Sequence, residues 1–353
     1  MKFLRFPTLV LEKIFENFAV PELLFLSFCS KRMRFLIQLL EKCRLKDIKT
    51  INYSFVSDDR VMILGLSNNN KPSIDLVLTP VERKKMVPMG LFGMDRDMIC
   101  WYVFYLFISK FSIDWSSLCW YSKYLYDKKK KEVIVQGVHN YLYQFFGPSI
   151  RYQVVSDCDE LPPKLENIQL SHIALTKLKT KQKKVEDYFK ASPYQEYMRI
   201  HENMNGMISQ KSVVYLTKHL EIDCCHSFGD DALFRFKGSS LLLVDAMFSD
   251  KTLIRFLNEW KSGTAFQQLK HLSIHCPSHQ FLDPSTVQRE VGMQYFEGFL
   301  EMKWKQTMVG RFQDKRWIPR SFKSRDYLIR EFDGAGASIQ ISSTHFNFVV
   351  WSA

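Results

Sequence analysis

The sequence predicts a mixed α+β and α/β chain in three regions: three helices over residues 1–45, a linking α+β region over 46–160, and an irregular strand-helix repeat with extra β-hairpins over 161–353. Apolar residues recur at helical spacing three times in the first 45 positions. After Pro162, short leucine-rich runs return at a period of roughly 30 residues. Between these regions, β-prone runs flank turn-forming residues.

In FPTLVLEKIFENF, Leu11, Ile14, Phe15 and Phe18 fall at i, i+3, i+4 and i+7, and Pro7 suits the entry to that helix. A second helix is expected from Pro21, with Glu22 in its first turn complementing the dipole and Leu23, Leu24 and Leu26 making it largely apolar. A third follows Ser30, a good N-cap, and places Met33, Leu36, Ile37 and Leu40 on one stripe. A unit this small hides only a modest fraction of its surface, so some of these side chains are expected to face a partner. The competing reading is that the helices only cap the rest of the chain.

These residues resemble the F-box. Phe6-Pro7 stands where that family has Leu-Pro, Ile14 matches its helix-one isoleucine, and Leu23 and Leu26 match its helix-two leucines. Cys29-Ser30-Lys31-Arg32 resembles its hydrophobic-Cys-Lys-Arg run, whereas Met33 departs from the tryptophan many members carry. The resemblance implies that Phe6, Pro7, Leu11, Ile14, Phe15, Leu23, Leu24, Leu26 and Cys29 dock onto a Skp-type adaptor, and through it onto a cullin. It further implies a substrate-recognition subunit of an SCF-type cullin-RING ubiquitin ligase, without catalysis of its own.

Downstream, RVMILGL and SIDLVLT flank Ser67-Asn68-Asn69-Asn70-Lys71-Pro72, which predicts a hairpin. Residues 81–150 are aromatic-rich, and Lys128 to Lys131 reads as a solvated loop. KLENIQL near 164, KHLEIDC near 218, SLLLVDA near 240 and LKHLSIHC near 269 each read as a strand. Between the last two, Ser249 can cap a helix whose Leu253, Phe256, Leu257 and Trp260 share a face and which Gly263 can terminate. The repeat is leucine-rich-repeat-like, its units sharing a core and presenting a strand-lined surface. Residues Thr176 to Lys211 are expected to form exposed helices, and SIQISSTHFNFVVW a terminal strand or hairpin.

This second part resembles the type 2 F-box-associated region of the large nematode F-box set. The likeness lies in Asn258-Glu259-Trp260-Lys261-Ser262-Gly263, in Leu269-Lys270-His271-Leu272-Ser273-Ile274, and in Ile329-Arg330-Glu331-Phe332-Asp333-Gly334. It implies recruitment of a protein substrate. Without the resemblance, a protein-binding scaffold of leucine-rich-repeat type with no ubiquitin role remains the alternative.

Composition narrows the classes. With 46% hydrophobic and 14% aromatic residues the chain can bury sizeable cores, and its net charge of +12 is scattered rather than gathered in one arm. The aromatics sit inside apolar runs instead of along a basic stripe, which argues against nucleic acid. Ile99 to Ile108 is about half the length a membrane-spanning helix needs. Pro7, Glu12 and Lys13 interrupt any signal-peptide core, and the eight cysteines form no C-x-x-C and read as reduced, buried hydrophobes, so a cytosolic or nuclear protein is expected.

Phosphate-loop, nucleophile-elbow and zincin motifs do not occur, and no cofactor is expected. His271, His275, Cys276 and His279 are ligand types that zinc accepts, but on a strand His271 and His275 share a face while Cys276 points to the other. Adjacent Cys224 and Cys225, with His226, are poorly placed to chelate one ion.

Overall fold

The computed structural model describes residues 6–56, 59–67, 72–81, 122–158, 160–174, 182–201, 208–223, 225–226, 229–310 and 313–351. They cluster into two units. The first comprises Met1–Ser156 with Pro162–Ile168 and Arg311–Asp314; the second comprises Asp157–Leu161, Gln169–Gly310 and Lys315–Ala353.

The first unit begins with α1 (Thr8–Glu16), α2 (Val20–Phe28), α3 (Lys31–Leu40) and α4 (Lys42–Lys46). Ser30 caps α3 by accepting the Met33 N–H at 3.0 Å, and the Glu22 carboxylate accepts the Ala19 N–H at 2.6 Å at the start of α2. A run of five hydrogen-bonded strands follows, from β1 (Ile48–Phe55), β2 (Val61–Ser67), β3 (Pro72–Val81), β4 (Ser122–Asp127) and β5 (Arg151–Ser156), in the order β5-β1-β2-β3-β4. Its inner pairs are antiparallel, with Asn52 opposite Leu64, while β1/β5 and β3/β4 run parallel. The predicted hairpin is β2–β3; its turn residues 68–71 lie outside the described residues, as does the apolar window 99–108.

Helix α5 (Lys131–Phe146) supplies what the short helices need. Ser27 Oγ and Tyr141 Oη are 2.7 Å apart, the Phe28 and Tyr141 rings meet edge-to-face at 4.8 Å, and the Gln38 amide donates to the Gln144 and Phe145 carbonyls at 2.9 Å. Arg44 of α4 donates to the Phe15 and Phe18 carbonyls, tying the end of α1 to the unit. The expected solvated loop at Lys128 to Lys131 is instead a 3₁₀ turn, Lys128–Lys130, running into α5. Its Lys128, together with Lys131, pairs with Asp59 at 2.7 Å, and those ammoniums hold the Asp59 carboxyl below its ordinary range.

His139 sits in this core at 1% exposure. Its Nε2 lies 2.7 Å from the Glu166 carbonyl and so carries the proton, leaving Nδ1 to accept from the Tyr53 hydroxyl at 2.9 Å. Burial holds the imidazole down at about 4, well under the ordinary 6.5. Between those values the unfolded chain binds the proton that the folded one refuses. The stability this contributes is therefore complete above pH 6.5 and is lost as pH falls toward 4, by about 2 kcal/mol between pH 7 and 5. Urea midpoints at the two pH values are expected to separate less in His139→Gln than in the parent.

In the second unit, β6 (Leu170–Ala174), β7 (Tyr197–His201), β8 (His219–Asp223), β9 (Ser240–Val244) and β10 (His271–His275) lie side by side, parallel and in chain order. The chain returns through α6 (Gln182–Phe189), a 3₁₀ turn (Val213–Leu216), α7 (Gly229–Arg235) and α8 (Asp250–Lys261). After α9 (Pro284–Val291), the strands β14 (His345–Val350), β13 (Gly336–Ile341), β12 (Gln313–Ile329) and β11 (Gln294–Gly310) extend the order beyond β10, and the pairs β10/β14, β13/β14 and β12/β13 are antiparallel.

Strand alternation sorts this unit into two faces. Leu220, Ile222, Leu241, Leu243, Leu272, Ile274, Phe346 and Phe348 are all buried. Phe256 and Trp260 of α8 meet the Phe348 ring edge-to-face at 5.3 and 5.0 Å. As expected, Ser249 caps α8 by accepting the Thr252 N–H at 3.2 Å, and the helix ends before Gly263 at φ 72°. Glycine suits that position twice over, since a Cβ there would lie 2.8 Å from Phe332 Cβ.

Three expectations need correction. KLENIQL is not a strand: Asn167 adopts φ 57°, incompatible with extended backbone, and β6 begins only at Leu170. Thr176 to Lys211 is not wholly helical. It holds α6, whose Val185, Tyr188 and Phe189 are buried rather than exposed, and β7, whose Tyr197-Met198-Arg199-Ile200-His201 alternates with period two. The cysteines are not uniformly buried either: Cys29 and Cys43 are exposed, Cys158 is half-buried, and only Cys225 and Cys276 of those described are buried.

Candidate functional site

The helices α1 to α3 carry two apolar faces. Leu11, Phe15, Leu23, Leu24, Met33 and Ile37 point inward, all at 8% exposure or less. The first four were among the nine expected docking residues; here they are part of the core that α5 and β3 complete. The other five reach the surface. Phe6 is half exposed, Pro7 and Cys29 are exposed, and Ile14 and Leu26 are half-buried. Leu9 at 75% and Val10 at 41%, not singled out from the sequence, lie beside Phe6 and Pro7 along the chain. Their signal was present in TLVLEK, where apolar residues fall off the inward stripe as well as on it.

Solvent-exposed apolar residues of this kind mark protein contacts. The second unit holds a largely buried polar cluster. On the polar side of its parallel strands, Tyr197, Arg199 and His201 of β7 stand in register with His219, Glu221 and Asp223 of β8. Arg199 donates to Asp223 Oδ2 from Nε at 3.0 Å and from its terminal nitrogen at 2.7 Å, and its Nε lies 3.3 Å from Glu221 Oε1. Tyr197 donates to Glu221 at 2.7 Å, and His201 Nδ1 lies 2.8 Å from Asp223. Burial penalises the charge on Arg199, but the two carboxylates outweigh it and hold the guanidinium above its ordinary pKa. Burial, reinforced by the Glu221 carboxylate, raises the Tyr197 phenol far above its ordinary value, so it stays a donor. Sequence reading missed the cluster because it exists only through the β7–β8 register, and β7 lay in a segment read as helical.

The candidate zinc residues are dispersed. His271 is buried, bonded to Ser240 at 3.1 Å, and driven down to about 3 by burial and then by His219. The His275 ring instead meets His345 at 4.7 Å, the Cys276 thiol is raised by burial, and Cys225 Sγ donates to the Ile222 carbonyl. Cys224 lies outside the described residues. Among the described residues no three His, Cys, Asp or Glu side chains could hold a metal ion, and no helix is long and apolar enough to cross a membrane.

A small helical module with a solvent-facing apolar side, joined to strand-rich units, defines a protein-docking class. Comparison with family models makes the module specific: residues 3–45 match the F-box domain, so the chain carries an N-terminal F-box. F-box domains generally serve as non-catalytic adaptors that bind Skp-type proteins in SCF ubiquitin ligases. No curated protein and no solved structure matches the chain.

Proposed function

We propose that this protein is the substrate-recognition subunit of an SCF-type cullin-RING ubiquitin ligase. The F-box docks a Skp-type adaptor, and through it a cullin, while the C-terminal region holds a protein substrate. The observation that carries this reading is the F-box match over residues 3–45, on helices whose outer side keeps Phe6, Pro7, Ile14, Leu26 and Cys29 at the surface. Leu11, Phe15, Leu23 and Leu24 serve the contact indirectly, by fixing the helices that present it. In this account the chain contributes proximity between target and ubiquitin-transfer machinery, and the reaction itself belongs to its partners.

For the second part, the proposal is a leucine-rich-repeat-like recognition region. Supporting it, successive strands from β6 to β10 begin 27, 22, 21 and 31 residues apart and lie parallel in chain order. The likeness to the nematode type 2 F-box-associated region covers α8, β10 and the turn after β12, and would make this region the substrate holder. Repeat geometry of this kind also suits a scaffold without a ubiquitin role, so the F-box contact decides between them. The test uses Phe6→Asp with Cys29→Asp, two solvent-accessible positions where a carboxylate must be desolvated in the complex, in a variant whose melting curve matches the parent. Affinity capture from cells is expected to recover a Skp-type adaptor and a cullin with the parent chain and to lose both with the variant; equal recovery by the variant would refute the assignment.

A further inference from the structure

We propose that a groove beside α3 and α4 is a second docking site, for an acidic amphipathic segment of a partner protein. It lies within the first unit and encloses about 590 Å³. Leu45, Ile48, Phe145 and Ile150 line it and are buried, giving an apolar floor. Phe35 and Leu39, one helical turn apart on α3, edge it at 62% and 56% exposure. Both lie off the inward stripe of α3, whose Met33 and Ile37 face the core, so packing among the described residues does not account for them.

Charge selects the occupant. Lys42, Lys46 and Lys49 all line the groove, and among the described residues no carboxylate does. Residues 31–49 contain seven Lys or Arg against two acids, and one of those acids, Glu41, is buried against Arg44 at 2.9 Å. An apolar trough edged by an i, i+4 pair and flanked by cations takes a helix that brings apolar anchors at i, i+3 or i+4, and i+7 and carboxylates beside them. The cations would add speed and selectivity to a contact whose affinity comes mainly from the trough. None of the nine docking residues lines the groove, and its existence does not rest on the F-box reading.

The probe is a synthetic 15-residue helix with leucines at those anchor positions and glutamates elsewhere, labelled for fluorescence anisotropy against the full chain. Controls are the same peptide with lysines in place of glutamates and a single-stranded oligonucleotide of equal charge. The acidic helix is expected to bind, to weaken about tenfold with Lys42→Glu plus Lys46→Glu and again with Leu39→Ser, and to outbind both controls. Circular dichroism melts that match the parent establish that the variants are folded. Absence of binding to the parent, indifference to the lysine reversal, or equal binding of the oligonucleotide would each overturn the proposal, the last by reducing the groove to a plain anion patch.

Discussion

Trp260→Ala is expected to lower the stability of the second unit by about 3–5 kcal/mol, the range for emptying a large aromatic site in a core that collapses only in part. Trp260 has no solvent exposure and meets Phe348 edge-to-face, while Arg330 lies over its ring at 5.2 Å. Its loss removes apolar burial, an aromatic pair and the support under Arg330 together. Arg330, in turn, is anchored by bidentate bonds to Asp333 at 2.8 and 2.6 Å. Urea unfolding of the full chain, followed by far-ultraviolet circular dichroism, would show the transition of this unit moving to lower denaturant with little change in slope. Trp260→Phe, which keeps a ring in the site, is expected to recover more than half of the loss.

Asp223→Ala is expected to cost about 2–3 kcal/mol, under the full penalty for breaking a buried pair because Arg199 keeps Glu221 and is itself a quarter exposed. Most of the loss would come from leaving a half-buried guanidinium with one carboxylate in place of two. Combining Asp223→Ala with Arg199→Met is expected to cost less than the sum of the two single losses, because each removes the same Arg199–Asp223 bond. If the double variant is instead worse by the sum of the two, the cluster is not the interdependent unit its geometry describes.

Much of this fold is written in local patterns. The periodicity of α1, the Ser30 cap of α3, the β2–β3 and β13–β14 hairpins, and α8 with its cap, apolar face and terminal glycine could all be read from neighbouring residues, because the forces that set them act within a few positions. What could not be read depends on distant partners. A helix with apolar residues on two sides does not say which side its own chain covers; α5, more than 100 residues away, chooses Leu23 and Leu24 for the interior and leaves Phe35 and Leu39 outside. The Arg199–Asp223 pair likewise depends on two strands settling in parallel register, and Asn167, a single left-handed residue, is enough to end a leucine-rich run that looked extended. For the expected docking residues the family resemblance named nine positions, of which five reach the surface and four are buried.

Direct contact between the F-box and an adaptor is tested without intermediaries by isothermal titration of the purified full chain with a purified Skp-type adaptor. One-to-one binding is expected, with a negative heat-capacity change from burial of apolar surface, abolished by Phe6→Asp with Cys29→Asp in a chain whose melting curve is unchanged. A folded parent chain that binds no Skp-type adaptor, or a variant that binds as tightly as the parent, would contradict it.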